Sequence, residues 1–89
     1  MVTVKRLVLD VLKPHRPGAL EFCREIASLG PDYRACLIVE EVDENTQTVQ
    51  LEVCGSALDL DVIETAIVRM GASLHSVDQV EVHNEADQA

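Results

Sequence analysis

Two short stretches of this sequence combine histidine with aspartate, the residue types that bind metal ions or carry protons. The first, LVLDVLKPH, contains Asp10 and His15, and the second, HSVDQV, contains His75 and Asp78. Carboxylates alone suit calcium or magnesium, whereas histidine combined with carboxylate suits zinc or a similar ion. The sequence leaves the cofactor open; a divalent metal ion is the candidate, and these four side chains are its candidate ligands.

The same two stretches supply Lys13 and Ser76, which we predict to bind a small ligand. Neither stretch has the spacing of a recognised metal motif, and the sequence contains no Gly-rich phosphate loop, GxSxG or HExxH. A plainer interpretation stays open, in which Asp10 hydrogen-bonds to a neighbouring subunit or to backbone. In that interpretation the histidines are ordinary polar turn residues.

Three strands are predicted in the first two thirds of the chain. Val4–Lys13 carries apolar residues at both odd and even positions, which is typical of a strand buried on both faces. Tyr33–Asp43 has a similar apolar centre, and Thr48–Cys54 alternates as a half-buried strand does. The polar turn between the last two strands predicts a hairpin.

Two amphipathic helices are predicted from apolar residues that recur at three- and four-residue steps. The first runs from Pro17 to Leu29, with the proline as its first helical residue. The second begins near Leu60 and is capped by Asp59 or by Asp61. The aspartate at 61 would form a capping box with Glu64.

The last predicted element is a strand over Ser73–Val82, with a bulge near Asp78 and Gln79 where the alternation changes phase. The element order β-α-β-β-α-β is that of the split βαβ, or ferredoxin-like, α+β sandwich. Right-handed crossovers place both helices on one face of a four-stranded antiparallel sheet. We expect one domain over residues 1–83, followed by a polar tail over residues 84–89.

This topology brings the end of the first strand and the start of the fourth strand to the same pole of the sheet. If Lys13 pairs with His75, then Asp10 lies directly opposite Asp78 on the adjacent strand. Two carboxylates placed in this way repel each other unless a proton or a cation joins them. The predicted pairing therefore supports a cation between the two strands.

The sheet face that the helices leave open also carries apolar residues. We expect Val8, Leu12, Ile38 and Val42 to point toward it. Exposed apolar patches of this kind usually mark an interface, so we predict a homo-oligomer that assembles through the open face. The alternative is a monomer in which this apolar surface is only modestly exposed.

The composition excludes several classes of function. The chain has 16 Asp+Glu against 7 Lys+Arg and a net charge of -9, which opposes binding to nucleic acid or to an anionic membrane. No apolar run approaches the ~20 residues that span a bilayer. Three cysteines without a CxxC spacing predict reduced thiols in a cytoplasmic protein. Cys36 faces Cys54 in one of two possible hairpin registers, and we expect no disulfide there.

Four stretches of the chain resemble an uncharacterised, mainly archaeal family, domain of unknown function 211. They are LVLDVLKPH, EEVDENTQTVQLEVCG, LDLDVIETAI and MGASLHSVDQV, and the resemblance runs from about Arg6 to Val82. Its specific parts, LDxLKPH and HSVDxV, hold the polar residues discussed above. The resemblance implies a ferredoxin-like fold and assembly into larger, ring-like oligomers. It implies no established activity.

Three hypotheses about function follow. The first is a non-enzymatic, regulatory, oligomeric domain that binds a metal ion or a small ligand at or between subunits. The second is a ligand-free assembly or protein-interaction module, in which the two polar stretches hold subunits together. The third is an enzyme that uses His and Asp side chains for acid–base chemistry, which requires a cleft lined by His15 and His75.

Overall fold

The ferredoxin-like α+β architecture is confirmed in a computed structural model, which describes residues 1–86. The elements are β1 (Val2–Pro14), α1 (Ala19–Ala27), β2 (Arg34–Val42), β3 (Thr46–Leu58), α2 (Leu60–Arg69) and β4 (Ser73–Asn84). All pairs of neighbouring strands are antiparallel, in the order β2-β3-β1-β4. The two long strands β1 and β3 therefore form the centre of the sheet.

The hydrophobic core lies between the sheet and the two helices. Successive side chains of a strand point to opposite faces, so alternate residues of the central strands enter this core. Its fully or almost fully buried members are Leu7, Leu9, Val11, Phe22, Ile26, Val49, Leu51, Val53, Ile63 and Ile67. The core is aliphatic except for Phe22.

The start of α1 differs from the sequence prediction. Pro17 lies in the bend before the helix, and Gly18 is the N-cap with an extended backbone, at φ -68° and ψ 172°. The helix therefore begins at Ala19 and ends at Ala27, and Ser28 is its C-cap. A residue in an extended conformation cannot belong to the helical turn, and this moves the first turn two residues beyond the proline.

Asp59, one of the two predicted candidates, caps α2. Its Oδ1 accepts the backbone N–H groups of Asp61, at 3.0 Å, and of Val62, at 3.3 Å. The predicted capping box of Asp61 with Glu64 is wrong, because residue 61 already lies inside the first turn of the helix. The backbone N–H of Asp59 donates to the hydroxyl oxygen of Tyr33 at 2.9 Å, which joins this cap to the start of β2.

Three register shifts interrupt the pairing of β4 with β1, and two of them place an extra residue on β4. Asp10 is opposite Ser76 while Val11 is opposite Leu74, so His75 is an extra residue on β4. The second shift leaves Asp78 as an extra residue, which confirms the predicted bulge near this position. Bulges redirect side chains and bend the strand that carries them.

The far ends of β1 and β4 continue as a two-stranded ribbon. Val2 pairs with Asn84, and the backbone N–H of Glu85 donates to the carbonyl of Met1 at 2.7 Å. β4 therefore extends past Val82, into the segment predicted as a polar tail. The rest of that predicted tail, residues 87–89, lies outside the described residues. No helix within the described part of the chain is long and apolar enough to cross a bilayer.

The hairpin of β2 and β3 adopts the register that keeps its two cysteines apart. Cys36 is opposite Glu52, and Cys54 is opposite Arg34. All three cysteines within residues 1–86 are free thiols, as expected.

The open face is less apolar than the sequence suggested. Leu12 and Ile38 lie on it and are 42% and 53% exposed, but Val8 is buried on the same face. Val42 was predicted there and lies instead on the helix side, because a register shift near Glu40 reverses the alternation of β2. The open face therefore mixes separate apolar side chains with polar ones.

Candidate functional site

Asp10 is the central polar residue of the open face. It lies in the middle of β1, opposite Gln50 on β3 and Ser76 on β4. Its Oδ1 atom is buried and has no hydrogen-bond partner within residues 1–86. Buried polar atoms are almost always satisfied, so this oxygen is an acceptor that a proton, a water molecule or a cation can satisfy.

His75 shares a concavity of about 260 Å³ with Asp10, and Leu12 and Thr48 complete its lining. Leu12 pairs with Thr48 across β1 and β3, so these two side chains share the open face. The bulge at residue 75 brings the imidazole to the same face as the carboxylate. Side chains with a carboxylate, an imidazole and a hydroxyl group therefore line one space.

The predicted pairing of Lys13 with His75 is wrong, and so is the placement of Asp78 opposite Asp10. β4 begins at Ser73, which lies opposite Leu12. The residue opposite Asp10 is therefore Ser76, two residues before the predicted Asp78. Ser76 takes the opposite position, and its Oγ donates to the carboxylate of Asp78 at 2.7 Å. Neither Ser76 nor Asp78 lines the concavity that holds Asp10 and His75.

Lys13 lies on the other side of the sheet from the concavity. Its side chain is fully buried, and Nζ donates to the carbonyl of Pro14 at 2.7 Å. Burial lowers the pKa of Lys13 below its ordinary value, because the charged form loses its hydration. The predicted ligand-binding lysine therefore belongs to the helix-side layer.

His15 lies apart from His75. Its Nε2 donates to the carbonyl of Asp43 at 2.8 Å, which ties the loop after β1 to the turn between β2 and β3. His15 does not line the concavity that holds Asp10. The structure thus brings together Asp10 and His75, two of the four predicted metal ligands, and leaves Asp78 and His15 outside their concavity.

No group of three or more His, Cys, Asp or Glu side chains within residues 1–86 is arranged to hold a metal ion. Asp10 and His75 supply two donors, and the hydroxyl of Thr48 is a possible weaker third. Structural zinc sites use four protein ligands, and catalytic ones use three. One chain therefore offers an incomplete site, which water or a second molecule must complete.

Thr48 and Leu12 were missed as lining residues by sequence reasoning. The alternation of β3 does indicate that Thr48 faces away from the core, since Val49 faces into it. The sequence does not reveal which residue of β1 stands beside it. That neighbour is set by the pairing of β1 with β3, which is not a local property.

The fold and the site define a small α+β domain of the ferredoxin-like class, with a concavity lined by Asp10 and His75 on its open face. Residues 5–86 match the model of the DUF211 family, described as uncharacterized ArCR. The chain belongs to this family. It is also 35% identical over 77 residues to the uncharacterized protein MJ0319 of Methanocaldococcus jannaschii, covering 86% of this chain and 79% of that protein.

Proposed function

We propose that this protein binds a divalent metal ion, or a small ligand in its place, through Asp10 and His75 at or between subunits of a homo-oligomer, in a regulatory role. The observation that carries the proposal is Asp10, whose buried Oδ1 has no hydrogen-bond partner within residues 1–86 and which lines a concavity together with His75. A cation in this space would satisfy the oxygen and offset its charge. The proposal assigns no chemical reaction to the site.

The types of donor favour one group of metal ions. Calcium takes six to eight oxygen ligands, and magnesium requires near-octahedral oxygen coordination. Imidazole combined with carboxylate suits zinc, nickel and related ions. Because His75 is one of the two strong donors, we expect zinc or nickel to bind more tightly than calcium or magnesium.

Two features favour a site shared between subunits. One chain supplies two strong donors, so a second copy that approaches the open face could supply others. Each chain also carries a net charge of -9, which makes the approach of two copies unfavourable. A divalent cation bound between them would reduce this repulsion, so occupancy of the site would control assembly.

The direct test follows the melting temperature of the protein with zinc, nickel, calcium or magnesium. Binding to the native state alone raises the free energy of unfolding by about 2.7 kcal/mol at a ligand concentration one hundred times the Kd. Asp10→Asn should abolish the response. Asp78→Asn, a matched control on the same strand pair, should retain most of it. The absence of any shift with all four cations would reject the proposal.

The assembly part of the proposal is tested by sedimentation. Ile38→Lys places a charge on the open face, whereas Val68→Lys places the same charge on the outer surface of α2. We expect the first variant to dissociate and the second to keep the parent state. A third variant, Val80→Lys, alters the exposed apolar side of β4 that faces away from the open face. Dissociation of this variant alone, or sedimentation of the parent as a monomer, would reject the open-face interface.

Chelation distinguishes a ligand-free assembly module from a protein that binds a metal ion. If Asp10 only holds subunits together, Asp10→Ala changes the size of the oligomer equally with and without a chelator. If a cation acts there, chelation of the parent reproduces the effect of the substitution. The acid–base enzyme needed a cleft lined by His15 and His75, and His15 does not line the concavity that holds His75.

A further inference from the structure

A second concavity lies on the open face, at the end of β1 opposite to the Asp10 site. Its volume is about 550 Å³, and its lining includes Lys5, Arg6, Arg34, Cys54 and Ser56. Arg6 precedes Asp10 by four residues on β1, a separation of about 13 Å along a strand. The two concavities are therefore distinct sites on one surface.

Strand pairing brings two arginines to the sides of one thiol. Cys54 on β3 is opposite Arg6 on β1 and also opposite Arg34 on β2. A register shift of β3 against β1 begins directly beyond this row. Gly55 follows Cys54 and is close-packed, because a Cβ on this residue would lie 2.9 Å from the side chain of Leu58.

Three basic and two acidic side chains line this concavity. Three of the seven Lys and Arg residues of an acidic chain line it. Its two acidic residues are already bonded: Asp32 accepts the backbone N–H of Ser56 at 3.1 Å, and Glu81 accepts from His83 at 2.6 Å. Both carboxylates thus already accept a hydrogen bond from another residue that lines the concavity.

Arg34 differs from the other two basic residues of the concavity in its contacts. Arg6 is paired with Glu52, and Lys5 is paired with Glu85. Arg34 forms no salt bridge within residues 1–86, although it stands in the same row as Arg6. Its guanidinium group is therefore available to an anion that enters the concavity.

We propose that this concavity binds a small molecule bearing a phosphate group, held mainly by Arg34 with support from Arg6 and Lys5. The planar guanidinium group donates paired hydrogen bonds that match phosphate oxygens. The volume lies within the ~300–1,000 Å³ range of small-molecule sites. The proposal does not depend on the cation site, because it uses none of the residues around Asp10.

The probe for this proposal is pyrophosphate, titrated into the purified protein while amide and arginine Nε signals are followed by NMR. We expect saturable shifts that centre on Cys54 and Gly55. Arg34→Gln should weaken binding about tenfold, the change expected for about 1.4 kcal/mol of lost interaction. Arg24→Gln removes the same charge from the exposed surface of α1, and we expect it to leave binding within about twofold of the parent.

Three results would overturn the proposal. One is the lack of saturable shifts at Cys54 and Gly55. Another is equal weakening by Arg34→Gln and Arg24→Gln, which would indicate attraction to the overall charge. The third is loss of pyrophosphate binding in Asp10→Asn, which would indicate that the binding depends on the concavity that holds Asp10. Retained binding in Asp10→Asn supports two separate sites.

Discussion

Nζ of Lys13 lies 5.9 Å from the centroid of the Phe22 ring, inside the layer between the sheet and α1. This distance is within the range of a cation–π contact. The lysine is fully buried, and its hydrogen bond within residues 1–86 is to the carbonyl of Pro14. A buried ammonium group without a carboxylate partner destabilises the fold, which makes stability sensitive to pH.

The first prediction concerns this pH dependence. Burial lowers the pKa of Lys13 in the folded state below its value in the unfolded chain. The loss of stability caused by burying the charged lysine is therefore absent above the pKa of the unfolded chain. It grows as the pH falls toward the pKa of the folded state, and it is constant below that pKa. Lys13→Met removes the penalty and should raise the free energy of unfolding at pH 7 by about 1 kcal/mol.

Urea denaturation of the parent and Lys13→Met at pH 7 and at pH 10.5 measures this effect. The advantage of the variant should shrink at the higher pH, because the parent no longer has to bury a charge. Lys5→Met is the matched control, since Lys5 is partly exposed and paired with Glu85. Parallel pH profiles for the parent and Lys13→Met would contradict the prediction.

The second prediction concerns the stability of the metal-free protein. The buried Oδ1 of Asp10 has no hydrogen-bond partner within residues 1–86, and such a group costs about 1–3 kcal/mol. Asp10→Asn keeps the shape and removes the charge, so we expect a gain of about 1 kcal/mol. Urea denaturation with a chelator, at equal protein concentrations, measures it.

The control for this measurement is Asp78→Asn, which alters an exposed carboxylate and should change stability by less than about 0.5 kcal/mol. Loss of stability in Asp10→Asn would show that the carboxylate makes a favourable contact in the native protein. A gain in stability together with loss of the cation response would identify Asp10 as a functional residue.

The third prediction separates the two aspartates at the start of α2. Asp59 accepts two backbone N–H groups, whereas Asp61 lies within the first turn. Asp59→Ala should cost about 1 kcal/mol of stability. Asp61→Ala should cost only about 0.3–0.5 kcal/mol, through the helix dipole. Thermal denaturation of both variants tests whether Asp59 is the cap of α2. A larger loss of stability in Asp61→Ala than in Asp59→Ala would contradict it.

The fourth prediction concerns Gly30, which lies against the ring of Tyr33. A Cβ at residue 30 would overlap this ring, whose hydroxyl oxygen accepts the backbone N–H of Asp59 at 2.9 Å. Gly30→Ala should therefore cost about 1–3 kcal/mol through overpacking. Gly18→Ala is the control, because its Cβ meets no described atom within 4 Å. Since Gly18 is the N-cap of α1, this control should cost less than about 1 kcal/mol, and equal melting temperatures for the two variants would contradict the prediction.

Much of the fold could be predicted from local patterns. The apolar residues of Leu7–Val11 and the helical spacing of Phe22 with Ile26 indicate how each segment buries its surface. The β-α-β-β-α-β order then leaves few topologies, since crossovers are right-handed. The bulge at Asp78 was also predictable, because it leaves a phase change in the alternation of the strand.

The candidate site was harder to predict than the fold. Asp10 was identified as a buried polar residue within an apolar strand, but its partner on β4 was not. The bulge at His75 leaves no clear phase signal, and it shifts every later residue of β4 relative to β1. One such shift changes which side chains meet across the strands.

The arginine-lined concavity shows the same limit. Arg6 and Arg34 are far apart in the sequence, and each alone is an ordinary charged residue next to a strand. They flank Cys54 because β3 pairs with both β1 and β2. No spacing or motif in the sequence indicates this row.

The amino-acid sequence by itself determined the elements, their order, the aliphatic core and the family, because these follow from local periodicity, turn residues and matching motifs. Only the tertiary structure decided which polar side chains share a surface. It placed His75 beside Asp10, moved Lys13 into the core layer and left Val42 on the helix side. The physical reason is that strand pairing and bulges depend on contacts between distant segments, and one extra residue changes the face on which the following side chains lie.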